Sequence, residues 1–272
     1  MHFAPEPEQP RRLIILVQWS ADNDVPAHVA VYLRALRPLA TRLVLISNSP
    51  LNASARGFAE TLCDSVIERP NIGLDFAAWR DALAQEDMSS WDHVVLTNSS
   101  IIGPLHPLAP IFETMEHREA DFWGIVQSNE LKPHLQSYFL SFSASVIRSE
   151  PWRQFWAGVQ DLTDKREIIR RYEVGLTGYL VDHGFTHESL VKPLPFWSSL
   201  RMRHVRTLRG LRLPVFTRYS NRAIHSYAEL VGAGMPFLKA SLVWGSDTWR
   251  FGGIDEVKRL SDRQFPWSEL EL

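Results

Sequence analysis

Cysteine is nearly absent from this 272-residue sequence. Its single copy, Cys63, has no partner for an internal disulfide and no companions for a cysteine-based zinc framework. Long hydrophobic runs are missing as well. The longest early one, Leu13–Val17, is far short of the roughly 20 residues that span a bilayer, and shorter than a secretory h-region. No G-x-G-x-x-G, G-x-x-x-x-G-K, H-E-x-x-H or G-x-S-x-G occurs, which removes the Rossmann dehydrogenase, P-loop, common metalloprotease and α/β-hydrolase signatures. Net charge is also small, −2, which argues against a general polyanion binder. That balance hides a local absence. From Ser189 to Ala228 there is no acidic residue, and Lys192, Arg201, Arg203, Arg206, Arg209, Arg212, Arg218 and Arg222 bring +8 against −10 for the rest of the chain.

What is present belongs to a packed globular protein: 45% hydrophobic and 22% charged residues exclude disorder over most of the length. The expectation is a cytoplasmic chain, with residues 1–12 (Pro5, Pro7, Pro10) as a flexible lead-in. Leu13–Gln18, Arg42–Ser47, Asp64–Glu68 and His93–Thr97 read as short strands. Between them Val29, Leu33 and Leu36 recur at helical spacing, as do Phe76, Trp79 and Leu83 after Gly73. This alternation predicts a parallel sheet with helices packed on it. Asp121–Val126 and Tyr138–Val146 are further predicted strands. Trp152, Phe155, Trp156 and Val159 fit a helix capped by Ser149, and Ile168, Ile169, Tyr172, Leu176, Tyr179 and Leu180 fit another. The predicted fold is α/β: a mostly parallel central sheet with flanking helices over residues 13–188, and a basic, partly helical segment over residues 189–272 packed on the same domain.

Ligands of an open parallel sheet bind beyond the carboxyl ends of its strands. Three polar clusters fall at such ends: Ser47-Asn48-Ser49, Asn71-Ile72-Gly73-Leu74-Asp75 and Thr97-Asn98-Ser99-Ser100. Each alone is what a turn requires; three on one edge point to a site. Asn71 and Gly73 let backbone approach a ligand where a helix starts, and the N–H groups of a helix start favour an anion. Asp75 also interacts favourably with that helix's dipole.

Five ordered blocks resemble those of the rhamnan synthesis protein F family: NIGLDFAAWRDAL (71–83), VVLTNSSIIGPL (94–105), HLQSYFLSFSASVI (134–147), YEVGLTGYL (172–180) and GMPFLKASL (234–242). The resemblance runs from about Leu13 to Leu242. It implies a glycosyltransferase A-like fold and transfer of a sugar, rhamnose or a relative, from a nucleotide-sugar to a bacterial surface polysaccharide such as O-antigen, rhamnan or capsule. Together with the strand-end clusters it implies donor contacts from Ser47, Asn71, Gly73, Asp75, Asn98, Ser99 and Ser100. It implies acceptor or phosphate contacts from Gln136, Ser137, Tyr138 and Lys239. Where family members commonly carry Asn-Asp-Ser, at the place of an A-fold metal site, this chain has Asn98-Ser99-Ser100. Without the carboxylate, Asn98 and Ser100 are the candidate contacts for Mg²⁺ or Mn²⁺, and metal dependence stays open.

Inverting transfer needs a base for the acceptor hydroxyl, and the YEVGL block resembles the one that supplies it, so Glu173 is the candidate. On a 100° wheel Glu173 lies about 60° from Leu176, at the edge of the apolar arc of Ile169, Tyr172 and Leu180. The alternative is an ordinary solvent-facing Glu beside Arg170 and Arg171. Arg206, Arg209 and Arg212 recur every third residue and are predicted to share the face of a short helix. Arg suits phosphate, so this block serves a leaving diphosphate, docks on anionic headgroups near a lipid-linked acceptor, or is a solvated surface. Aromatics are not interleaved with the Arg residues, so nucleic acid is not expected. Two function classes remain: a transferase, and a non-catalytic nucleotide-sugar or glycan-binding module of the same fold.

Overall fold

The computed structural model describes residues 9–192, 200–206, 212–218, 222–244, 254–261 and 264–270. Strand β1 (Arg12–Gln18) is buried along its whole length. Successive side chains of a strand face opposite sides, so β1 feeds two cores: Ile14 and Leu16 join one, and Leu13, Ile15 and Val17 the other. A strand covered on both faces has to be apolar throughout, which is why Leu13–Val17 reads as an unbroken run.

Helix α1 (Ala27–Leu36), β2 (Arg42–Ser47), α2 (Ala53–Leu62), β3 (Ser65–Glu68), α3 (Leu74–Leu83) and β4 (His93–Asn98) follow in alternation. β2 and β4 flank β1 in parallel, and β3 adds to β2 in the same direction. Then come β5 (Ile101–Ile102), α4 (Ala109–Glu116), β6 (Phe122–Ser128), β7 (His134–Leu135) and β8 (Phe139–Ser143). Helices α5 (Ala144–Ile147), α6 (Glu150–Ala157) and α7 (Lys165–Ile168) precede a π-helical turn, Ile169–Glu173, and α8 (Val174–Asp182). β9 (His187–Val191) returns to the sheet beside β6. The eight-stranded sheet has the order β3-β2-β1-β4-β8-β6-β7, with β9 on β6. β8 runs antiparallel to both β4 and β6. The fold is therefore α/β, with a mostly parallel central sheet and flanking helices.

Capping fixes several helix starts. Asn52 accepts from the Ala55 N–H, Ser149 from Trp152 and Asp164 from Arg166, each satisfying a donor that a helix start leaves unpaired. α2 escapes sequence periodicity because it buries only the small side chains Ala55 and Ala59. The expected strand over Tyr138–Val146 is shorter: β8 stops at Ser143, whose hydroxyl donates to the Asp121 carbonyl, and a helical turn follows. The basic block differs more. Rather than a helix, β10 (Leu200–Arg206) and β11 (Arg212–Arg218) form an antiparallel pair with Arg206 opposite Arg212. Val205, Val215, Phe216 and Thr217 favour strands, and Pro214 is tolerated at a ribbon edge. Arg209 lies outside the described residues, as do the side chains of Arg206 and Arg212.

The chain after residue 222 closes back on the first core through Tyr227, Leu230, Met235, Phe237 and Leu242. β12 (Leu238–Lys239) pairs with β5, setting Lys239 opposite Ile101.

Gly73 introduces α3 with φ +73°, and its N–H donates to the Leu162 carbonyl at 3.0 Å. A Cβ there would lie 2.4 Å from that of Ala77. Gly73→Ala should therefore cost about 1–3 kcal/mol of stability, since both backbone and neighbour resist it. Urea unfolding checks this, and an unchanged midpoint would refute it.

Candidate functional site

Beyond the carboxyl end of β4 opens a cavity of about 880 Å³. Asp75 enters it from the second residue of α3, Asn98 and Ser100 from the end of β4, and Gln136, Ser137 and Tyr138 from the β7–β8 connection. Glu173 comes from the π-helical turn and Lys239 from β12. All five sequence blocks thus contribute to one space.

Asp75 is tethered by Asn98, whose Nδ2 donates to Oδ2 at 2.8 Å. The Asn98 carbonyl oxygen is turned the other way, accepting from the Ser100 N–H at 3.1 Å and hydroxyl at 2.6 Å. Burial pushes the Asp75 carboxyl up to about 6; the Asn98 hydrogen bond opposes this, and the negative charge of Glu173 adds to it. The Ser137 N–H donates to Glu173 Oε1 at 3.2 Å. A π-turn holds an extra residue and shifts the phase of the helix. The edge position that the 100° wheel gives Glu173 is the one it takes: Glu173 reaches the cavity while Tyr172 and Leu176 stay in the core.

The Lys239 ammonium sits 4.4 Å from the centroid of the Tyr138 ring. Burial lowers its pKa, while the charges of Glu173, Asp75 and Glu130 hold it up. Gln136 is 4% exposed, and its Oε1 has no hydrogen-bond partner among the described residues.

Other expected contacts lie elsewhere. Ser47 is fully buried: its hydroxyl accepts from Gln18 Nε2 and donates to the Ser49 carbonyl, so it faces no ligand. Gly73 spends its N–H on Leu162. Ser99 donates to the Val17 carbonyl, and its own carbonyl accepts from His28 Nε2 at 3.0 Å. Both residues tie neighbouring backbone together, and neither lines this cavity. Asn71 lines a second cavity of about 540 Å³ at the ends of β1, β2 and β3, with Trp19, Asn48, Ser49, Arg69 and Pro70. Trp19 there is 54% exposed. Sequence reasoning missed Trp19, although a large aromatic just past a strand end was a usable signal. It also missed Lys165 and Glu130 in the main cavity, which stand in stretches of sequence with no pattern to mark them, and His134, which opens the block 134–147.

A divalent ion with hard oxygen preferences needs carboxylates beside substrate phosphates. The Asp75–Asn98–Ser100 group offers one, and the Asn98 oxygen is already engaged by Ser100. Among the described residues no three His, Cys, Asp or Glu side chains converge in a metal-binding group. The donor set does not fit a resident metal ion.

A family profile described as rhamnan synthesis protein F matches residues 43–207, more than half of the chain. The chain belongs to the rhamnan synthesis protein F family. Among curated relatives it is 28% identical over 173 residues to the uncharacterised protein y4gN of Sinorhizobium fredii, covering 61% of this chain and 45% of that one. It is 27% identical over 203 residues to virulence protein VirA of Vibrio anguillarum, covering 68% and 64%. The chain thus spans about half to two thirds of these relatives' lengths. Similar solved structures include a mannosyltransferase of Pyrobaculum calidifontis in complex with GDP-Man and Mn²⁺ (TM-score 0.46, 17% identity, 68% of this chain and 56% of that one). Another is the glycosyltransferase GlyE of Streptococcus pneumoniae (TM-score 0.44, 17% identity, 66% and 45%). No helix among the described residues of this family member is long and apolar enough to cross a membrane.

Two stability predictions follow from the cavity. With its carboxyl raised from 3.8 to about 6, native Asp75 keeps a proton that the unfolded chain has already released. Native stability therefore falls as pH rises through that window, and the deficit is complete above it. Asp75→Asn should raise stability at pH 8 by on the order of 1–3 kcal/mol and change little at pH 4; equal shifts in denaturation midpoint at both pH values would contradict this. Gln136→Leu removes an unpaired buried acceptor, so it should leave the free protein as stable or up to about 1 kcal/mol more so. A clear loss in calorimetry would show that Oε1 already has a partner.

Proposed function

We propose that the chain is a nucleotide-sugar-dependent glycosyltransferase that passes rhamnose to a growing bacterial surface polysaccharide with inversion at the anomeric carbon. One observation carries this: Asp75, Asn98, Glu173 and Lys239 converge on a single cavity whose volume, about 880 Å³, lies in the ligand-pocket range of ~300–1,000 Å³. Family membership supports the substrate class. The donor base suits the smaller cavity, where Trp19 offers an aromatic face for stacking. Sugar and diphosphate then lie in the larger one. Its apolar wall of Ile168, Ile169 and Val174 favours the methyl group that rhamnose carries in place of a C6 hydroxyl.

In the reaction the acceptor hydroxyl oxygen bonds to the anomeric carbon as its proton passes to Glu173. The bond from that carbon to the diphosphate oxygen breaks, and its electron pair leaves with the diphosphate. Ser137 N–H fixes Glu173 for this, and Asp75, held by Asn98, accepts a hydrogen bond from a donor hydroxyl. The acceptor is a polysaccharide or a lipid-linked glycan at the inner face of the cytoplasmic membrane; nucleic acid has no part. A binding module without turnover is the second reading, favoured by the missing carboxylate at Asn98-Ser99-Ser100.

Release of nucleoside diphosphate from nucleotide-rhamnose in the presence of such an acceptor separates the two. Glu173→Gln should keep donor affinity and lose about 10²–10⁴-fold in turnover. Near-wild-type turnover dismisses Glu173 as the base, and a retained anomeric configuration, read by NMR of the product, dismisses inversion. Donor binding with no release favours the module.

A further inference from the structure

We propose that Lys239, seconded by Lys165, is the diphosphate-binding cation of this cavity and does the electrostatic work that a divalent ion does in a carboxylate-rich site. The inference rests on the nucleotide-sugar reading for its substrate, but its geometry is independent of that reading. The strand-end cluster Asp75, Asn98 and Ser100 supplies a single carboxylate, and Asn98 has both ends of its amide occupied within the cluster. Positive charge arrives from another direction. β12 pairs with β5, the strand that directly follows the Asn98-Ser99-Ser100 turn, and the Ala240 N–H donates to the Ser100 carbonyl at 2.9 Å. Lys239 is therefore pinned to the rim of that turn by backbone, not by a flexible loop.

The Tyr138 ring lies beneath the Lys239 ammonium, 4.4 Å away, and Tyr138 is itself 2% exposed. A cation on a fixed aromatic face keeps its position while its N–H groups stay available to phosphate oxygens. Lys165 lines the same cavity from the first residue of α7, close enough that Asp75 and Lys239 both feel its charge. The charged groups facing Lys239 are Glu173, Asp75, Glu130 and Lys165. Burial lowers the Lys239 pKa, and the three acids oppose that shift. An incoming diphosphate meets the Lys239 ammonium held over a buried ring, with the exposed Lys165 at the cavity wall, and a developing negative charge is best stabilised by a group already in position.

Inorganic pyrophosphate tests this without a sugar, a base or an acceptor. By calorimetry in EDTA, wild-type protein should bind it. Lys239→Gln should weaken binding by about tenfold or more, and Lys165→Gln by less; Lys239→Arg, which keeps the charge, should stay within about threefold of wild type. With nucleotide-sugar and acceptor, EDTA should leave turnover within about twofold, and Lys239→Gln should lower kcat by about 10²-fold. Pyrophosphate binding only after Mn²⁺ or Mg²⁺ is added, or equal binding by wild type and Lys239→Gln, overturns the proposal. If Lys239→Gln does not fold, the EDTA arm and Lys239→Arg decide. Metal-free pyrophosphate binding that needs Lys239, with no turnover of any nucleotide-sugar, sinks the transferase and leaves the lysine site standing. Turnover that requires metal and ignores Lys239 does the reverse.

Discussion

Strand β1 is covered on both faces and hydrogen-bonded on both edges, and the rest of the molecule is arranged around that constraint. Its core residues Leu13 to Leu16 are fully buried and Val17 is 1% exposed, so the body of the strand has no room for a functional side chain. Chemistry is displaced to the carboxyl ends. The first polar side chain there, Gln18, is itself absorbed, donating to the Asp24 carbonyl and the Ser47 hydroxyl. The two cores on either side of β1 then recruit different parts of the chain. One collects α3 and the π-turn; the other collects the C-terminal return around Phe237 and Leu238. The acids Asp75 and Glu173 come from the first and the cation Lys239 from the second, so the cavity forms where the two cores meet.

Packing beneath the cavity fixes the relation between its two acids. Phe76 follows Asp75, Tyr172 precedes Glu173, and their rings lie 5.6 Å apart, with Trp79 at 5.2 Å and Trp156 at 6.1 Å from Phe76. Each aromatic pair of this type is worth about 0.5–1.5 kcal/mol beyond its buried area. That is enough to hold two like-charged groups facing one space, where their mutual repulsion raises the carboxyl of Asp75 further. A loop-borne pair would swing apart; this pair is tied through its neighbours to a core.

Much of this was legible in the sequence because the signals are local. Strand β2 and the Ser149-capped α6 were predicted close to their observed bounds, since an apolar run and a cap declare themselves within a few residues. Asp75, Asn98, Gln136, Glu173 and Lys239 were singled out from blocks far apart in the chain, and the structure brings them into one cavity. Ser47, Gly73 and Ser99 look the same in sequence but satisfy the backbone and side chains around them, a distinction that depends on tertiary hydrogen bonds. Glu173 sat at the margin of a 100° wheel and does line the cavity, while the π-turn that carries it leaves no compositional trace. Arg206 and Arg212 show how a three-residue spacing misleads: β-branched neighbours and Pro214 weigh more than the recurrence of charge.

Ser99 in place of a carboxylate, beside Asn98, then makes electrostatic sense. Asp75, Glu173 and Glu130 already face the space, and a further acid at the strand end would add like charge that only a bound cation could relieve. The Asn98 amide beside Ser99 does the opposite. Its Nδ2 donates to Asp75, its oxygen is closed off by Ser100, and the strand end becomes a tether instead of an anionic ligand. With that change Lys239 and Lys165 face three acids, Asp75, Glu173 and Glu130, instead of four, so an anion in the cavity would meet less repulsion than beside a further carboxylate. The neutral strand end and the lysine on β12 are thus two parts of one charge arrangement, the first limiting the negative charge of the cavity and the second offsetting what remains.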